Sequence, residues 1–148
     1  MVTAFVTAGA GFLLAVLWFD LMFDVQVLRA ERREEAVASI AAYYKRVTLE
    51  ARPMNRLVAV MMLGTLTALI IQVADGDAPR WASGISLALT LGATGLAATH
   101  TFGNGARLGT QKDPFERQGQ LARLMLRDHV ICLAAIVTVL MLELGFAR

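Results

Sequence analysis

The chain is poor in the residues that mark several common protein classes. It contains one cysteine, Cys132, so an intramolecular disulfide is excluded. It has only three prolines and two histidines. Gly-rich phosphate loops, paired-cysteine metal motifs, nucleophile-elbow motifs and internal repeats are all absent from the sequence. Apart from basic loops, the sequence has no feature that is typical of nucleic-acid binding, and we predict no nucleic-acid partner.

Apolar residues are abundant instead, at 57% of 148 positions, and the mean hydropathy is positive. A soluble domain of this size could not bury that much apolar surface. Four runs of about 20 residues carry few charges, and about 20 helical residues cross roughly 30 Å of hydrocarbon. The sequence therefore predicts an all-α polytopic membrane four-helix bundle in a lipid bilayer. It forms a single transmembrane domain, 1–148, with spans at about 2–25, 54–74, 81–101 and 128–147.

Basic residues are distributed unevenly around these spans. All but two of the 14 Lys and Arg residues, Arg80 and Arg148, lie in or beside the segments at about 26–53 and 102–127. The positive-inside rule makes both segments cytoplasmic and both termini external. The first run lacks a basic n-region, so we interpret it as a retained span and not a signal peptide. The compact design and charge bias predict a multi-pass protein of the bacterial inner membrane.

The two cytoplasmic segments have different patterns. From about Val27 to Ala51 there is no Gly or Pro, and apolar residues recur at helical spacing, which predicts an amphipathic helix after the first span. In the second segment, three glycines after His100 predict that the third span ends there in irregular chain. The sequence at 113–116, Asp-Pro-Phe-Glu, predicts the start of a helix that continues into the fourth span.

Polar residues collect at one end of the four apolar runs. At 1.5 Å per residue, counting from the outer end of each span places them at one depth, near the cytoplasmic edge of the hydrocarbon. Ionisable groups at such depth are costly and usually face a cavity, a partner or the bundle interior. We predict four of these polar residues to be ligands or proton-transfer groups: Asp20, Asp24, Asn55 and Asp128.

The only two histidines, His100 and His129, belong to the same ring of polar residues. Two imidazoles at matching depth could take both axial positions of a haem b, or join the carboxylates around a transition metal. Three arginines, Arg52, Arg107 and Arg123, are predicted to bind an anionic group or to balance the carboxylates. The alternative is that Asp20 or Asp24 simply forms ion pairs with these arginines or with Arg56 and binds no ligand.

Small residues occupy every fourth position in two spans: Gly84, Ala88 and Gly92 in the third, and Thr7, Gly11 and Ala15 in the first. Such a stripe lets membrane helices approach closely. It fits packing inside the bundle or a homodimer, and we predict internal packing.

Four short blocks carry a resemblance to known proteins: Leu17–Asp20, Tyr43–Thr48, Arg52–Arg56 and Arg127–His129. They look like blocks of an uncharacterised family of small bacterial four-helix membrane proteins. The topology also resembles that of anthrone-oxygenase-like membrane proteins. This resemblance implies a cofactor-poor or metal-assisted oxidation, but it assigns no catalytic residue.

Together these features predict a small inner-membrane protein whose cytoplasmic-side polar site binds a cofactor or small substrate, with redox chemistry as one option. An accessory or scaffold subunit of a larger membrane complex is the first alternative, and a small dimeric transporter is the second. A homo-oligomer is compatible with all three. Whether the protein is an enzyme stays open at this point.

Overall fold

A computed structural model of the chain describes residues 2–28, 33–76 and 78–146, with Arg52 lacking a described side chain. Every regular element within these residues is helical. Four stretches are long and apolar enough to cross a membrane, so the predicted all-helical, four-span architecture is confirmed. The α-helices are α1 (Val2–Asp24), α2 (Arg33–Tyr44), α3 (Arg52–Asp75), α4 (Arg80–Leu96), α5 (Phe102–Gly109) and α6 (Phe115–Phe146).

The membrane bundle has one apolar core along its length. Helix α1 packs against α3 and α6, and α4 packs against α6 and α3. Fully buried side chains such as Val6, Leu69 and Val139 fill the space between these helices. Many large apolar side chains remain on the outside, including Phe5 at 73% and Leu144 at 68% exposure. That outer surface requires an apolar solvent, which the bilayer provides.

Helices α3 and α4 are connected at the end of the bundle where α1 begins. Gly76 adopts a left-handed conformation, with φ of 73°, and its N–H donates to the Gln72 carbonyl. Glycine tolerates this conformation because it has no Cβ. Pro79 then precedes the first residue of α4. The predicted antiparallel hairpin of spans two and three therefore forms.

A second, smaller core lies at the opposite end of the bundle, which we call the loop end. Helices α2 and α5 pack there against the first turns of α6. The predicted single amphipathic helix is divided into α2 and a π-helical turn at Lys45–Glu50, after a 3-10 turn at Val25–Leu28. The part of that prediction at 29–32 lies outside the described residues. The buried side chains of this core include Ile40, Tyr44, Leu108, Leu121 and Met125.

The prediction that irregular chain follows His100 is wrong. The chain continues through a π-helical turn at Ala97–Thr101 into α5, which ends at Gly109. Two of the three glycines, Gly105 and Gly109, serve packing here, because a Cβ would lie 3.2 Å from the Tyr44 ring at Gly105 and 2.9 Å from the Lys45 backbone nitrogen at Gly109. Because glycine has no side chain, α5 can lie directly against the end of α2. Helix α6 then begins at Phe115 and runs without interruption past Gly119.

The stripe of small residues on α4 also differs from its prediction. Gly84, Ala88 and Gly92 are exposed, and a Cβ added to either glycine would meet nothing within 4 Å. The stripe therefore faces outward, and the prediction of internal packing is wrong. Close approach inside the bundle occurs instead between Gly9 and Thr65, where a Cβ on Gly9 would overlap the Thr65 hydroxyl.

Replacing Gly109 by alanine tests the contact between α5 and α2. We expect Gly109→Ala to lower the free energy of unfolding by about 1–2 kcal/mol, because the new methyl group would overlap rigid backbone of Lys45. Gly103→Ala is the matched control, since a Cβ there has open space and alanine favours a helix. Unfolding in mixed detergent micelles measures both. Equal stabilities of the two variants would contradict the packing described here.

Candidate functional site

A fully buried carboxylate, Asp24, is the centre of the polar residues at the loop end. It is the last residue of α1 and 0% exposed. His129 Nδ1 lies 2.6 Å from its Oδ2, and the Tyr44 hydroxyl donates to its Oδ1 at 2.9 Å. A carboxylate accepts only, so the hydrogen between Asp24 and His129 is on the imidazole Nδ1. Three helices, α1, α2 and α6, are thereby joined by one buried acid.

Asp20 lies one helical turn before Asp24 and is bonded in a similar way. The Tyr43 hydroxyl donates to Asp20 Oδ1 at 2.6 Å, and the Tyr43 ring stacks on Phe23 with centroids 4.1 Å apart. Its other oxygen, Oδ2, is 3.8 Å from His129 Nε2, which is beyond hydrogen-bonding distance. We refer to Asp20, Asp24, Tyr43, Tyr44 and His129 as the polar cluster.

The tyrosines of the polar cluster were missed as partners of the aspartates by sequence reasoning. Their signal is modest: they are consecutive, they are the chain's only tyrosines, and they end an amphipathic segment. Burial, reinforced by the neighbouring Asp20 and Asp24 carboxylates, raises the pKa of both phenols well above the ordinary value. The phenols therefore remain hydrogen-bond donors throughout the neutral range.

Alkaline titration tests this arrangement, because tyrosinate absorbance can come only from Tyr43 and Tyr44. We expect no tyrosinate signal near pH 10.0, the ordinary phenol value, while the protein is folded, and full ionisation there once it is unfolded. Because the folded-state pKa is the higher one, the stability that these phenols contribute is intact below pH 10.0 and declines as pH rises further. Two ordinary titrations in the folded protein would contradict the buried bonding.

The second histidine belongs to a separate pair. His100 Nδ1 is 2.5 Å from Oδ2 of Asp128, which is fully buried, and the Arg127 guanidinium is 3.0 Å from Asp128 Oδ1. The two histidines thus contact different carboxylates. Among the described residues, no group of three or more His, Cys, Asp or Glu side chains is arranged to hold a metal ion. The predicted metal or haem site on His100 and His129 is not supported.

Two of the three predicted arginine partners, Arg107 and Arg123, do not reach the polar cluster. Arg107 makes two 2.8 Å bonds to Asp113 in the exposed connection before α6, and Arg123 is exposed. The side chain of Arg52 lies outside the described residues. In place of the predicted pairing with Arg107 or Arg123, Asp20 and Asp24 have tyrosine and histidine as neighbours. This difference arises because α2 folds back over the end of α1 and brings its phenols closer than any described guanidinium.

Asn55, the remaining predicted ligand, joins two segments of backbone. Its Nδ2 donates to the Thr48 carbonyl at 3.2 Å, across the non-helical Ala51 that separates the π-helical turn from α3. Asn55 also lines a cavity of about 260 Å³ beside the polar cluster. A smaller cavity of about 70 Å³ lies between α1, α3, α4 and α6. Both cavities share six lining residues: Val16, Asp20, Val58, Thr101, Phe102 and His129.

A second buried polar group lies nearer the other end of the bundle. Gln72 and Glu143 are 0% and 2% exposed, and Gln72 Nε2 donates to Glu143 Oε2 at 2.8 Å. Glu143 lies close to the end of α6, and its side chain faces the bundle interior, where it meets Gln72 of α3. Three buried oxygen atoms have no hydrogen-bond partner among the described residues: Gln72 Oε1, Ser86 Oγ and Thr90 Oγ1.

Comparison with known proteins identifies a family. No curated protein and no solved structure matches the chain. The family model for SHR3 chaperones, described as ER membrane protein SH3, matches residues 1–147.

The predicted resemblance to bacterial anthrone-oxygenase-like proteins is therefore wrong, because it depended on short blocks and on a topology that unrelated four-span proteins share. The predicted bacterial inner membrane is wrong for the same reason, since this family is one of ER membrane proteins. The chain belongs to the SHR3 chaperone family.

Proposed function

We propose that the protein is an accessory membrane chaperone that binds the transmembrane helices of other membrane proteins during their assembly. The observation that carries this proposal is the family match, which extends over residues 1–147 and so includes all four spans. It corresponds to the accessory-subunit alternative derived from the sequence. The first function predicted from the sequence, a cofactor or substrate site with redox chemistry as one option, has lost its main support, because His100 and His129 contact separate carboxylates.

The outward stripe of Gly84, Ala88 and Gly92 supplies a suitable surface for a client helix. Its residues are exposed, and the space beside both glycines is open. Small residues allow two helix backbones to approach closely in lipid, where association depends on van der Waals packing. A client helix can pack here without displacing any helix of the bundle.

Substitution on this stripe tests the proposal. We expect Gly92→Leu to reduce co-purification with membrane-protein clients several-fold, because the added side chain would hold a client helix away from α4. The folded yield of a co-expressed multi-pass client would fall in parallel. Photocrosslinking from position 88, followed by mass spectrometry, would identify transmembrane segments as the bound species.

Gly64→Leu provides the matched control, since Gly64 is an exposed glycine on α3 that also has open space around it. It should leave client binding unchanged. Equal effects of Gly64→Leu and Gly92→Leu would contradict the assignment of the α4 surface. Normal yields of multi-pass proteins in cells that lack the chain would contradict the chaperone function itself.

A further inference from the structure

The cavities beside the polar cluster have no role in binding a client helix on α4, yet two largely buried polar residues of that cluster line them. His129 Nε2 and Asp20 Oδ2 have no hydrogen-bond partner among the described residues, and both residues line both cavities. The two atoms are 3.8 Å apart. His129 is 5% exposed and the Asp20 side chain 16%, so both groups are largely withdrawn from solvent. Polar groups in such surroundings normally have a hydrogen-bond partner.

The geometry specifies the chemistry of that partner. One oxygen atom can lie about 2.8 Å from two atoms that are 3.8 Å apart. A hydroxyl suits both positions when both nitrogens of the His129 ring carry a hydrogen: it donates to the Asp20 carboxylate and accepts from Nε2–H, while Nδ1–H donates to Asp24. An anionic head group would meet two carboxylates, Asp20 and Asp24, at close range. The site therefore disfavours phosphate and carboxylate groups.

The rest of the space is apolar. Side chains such as Leu13, Met62 and Ile136 line the inner cavity, while Val47, Met54 and Met125 line the larger one. An apolar cavity of about 150 Å³ stays dry and holds benzene. The 260 Å³ cavity can therefore hold a larger hydrocarbon group, and water alone would not be favoured throughout it.

The larger cavity also reaches the surface that faces lipid. Three of its lining residues, Phe19, Met54 and Phe102, are 61%, 44% and 41% exposed. Each belongs to a helix that spans the membrane or continues from one. A molecule dissolved in the bilayer can thus enter beside these side chains without crossing the aqueous phase.

We propose that this protein binds a lipid alcohol, with its hydroxyl between Asp20 and His129 and its hydrocarbon body in the adjoining apolar cavities. The site is separate from the α4 stripe. The ligand can be bound whether or not a client helix occupies that stripe.

The test uses a photoreactive, diazirine-bearing hexadecanol and the full chain in phosphatidylcholine nanodiscs. We expect crosslinks at cavity residues such as Val58 and Phe102, and competition by unlabelled hexadecanol. The methyl ether of the same alcohol should compete about tenfold less well, because it cannot donate to Asp20, and a lost hydrogen bond of about 1.4 kcal/mol gives that factor. Hexadecane should compete less well still.

A blocking variant gives a second readout. Val58→Trp should abolish labelling, because Val58 lines both cavities, whereas Val60→Trp adds the same side chain on the exposed side of α3 and should preserve it. The tyrosinate titration verifies that each variant is folded. Hexadecane competing as well as hexadecanol, or hexadecylamine competing better, would overturn the proposal. The competition series uses the unaltered chain, so it decides the question even if Val58→Trp fails to fold. Client binding is assayed separately, so failure of this proposal would not count against the proposed chaperone function.

Discussion

Asp24→Ala is expected to lower the free energy of unfolding by about 3–5 kcal/mol, the largest effect of any single substitution discussed here. Asp24 is fully buried and bonded to both His129 and Tyr44. Its removal leaves an imidazole and a phenol buried without the acceptor that they share. The cost arises mainly from these unpaired groups and not from loss of the carboxylate itself. Reversible unfolding in mixed detergent micelles would measure it.

A triple variant separates the two contributions to that loss. Asp24→Leu combined with His129→Leu and Tyr44→Phe removes all three polar groups, so we expect it to recover most of the stability lost in Asp24→Ala. Asp75→Ala is the matched single control, because Asp75 is an exposed aspartate at the end of α3 and its loss should change stability by no more than about 0.5 kcal/mol. If Asp24→Ala were as stable as Asp75→Ala, the bonds of Asp24 would not matter for folding.

The four spans could be predicted because each depends on local composition. A run of apolar residues long enough to cross a membrane identifies a span regardless of its neighbours. The end of the third span could not be predicted in this way. Glycines after His100 are compatible with a broken helix or with a helix packed against another backbone, and only the position of Lys45 decides between them. That position depends on how α2 folds back, which is a tertiary property.

The polar cluster, too, could be predicted from the sequence only in part. Counting residues along the spans drew attention to Asp20, Asp24 and His129, because depth in the membrane follows from distance along a helix. The partners of these groups depend also on how each helix is rotated about its axis. His100 and His129 belong to a common ring in the sequence argument, yet rotation and packing give them different carboxylates. Apolar patterning was too even around these helices to indicate that rotation.

The bond between Gln72 and Glu143 gives the second large prediction. Gln72→Leu is expected to lower the free energy of unfolding by about 2–3 kcal/mol, because it leaves the buried Glu143 carboxyl without the amide that donates to it. Glu143→Gln should cost far less, since an amide oxygen at the same place can still accept from Gln72 Nε2. Unfolding in mixed micelles, with both variants compared at one detergent composition, provides the measurement.

Replacing both partners distinguishes a pairing effect from a packing effect. Gln72→Leu combined with Glu143→Leu leaves neither polar group unpaired, and apolar side chains of similar length can fill the interior between α3 and α6. We expect this double variant to be more stable than Gln72→Leu alone, so the two changes would be strongly non-additive. Additive losses would show that each side chain contributes through its shape. In a bundle surrounded by lipid, non-additivity is the expected result, because no water is present to form a hydrogen bond with an unpaired polar group.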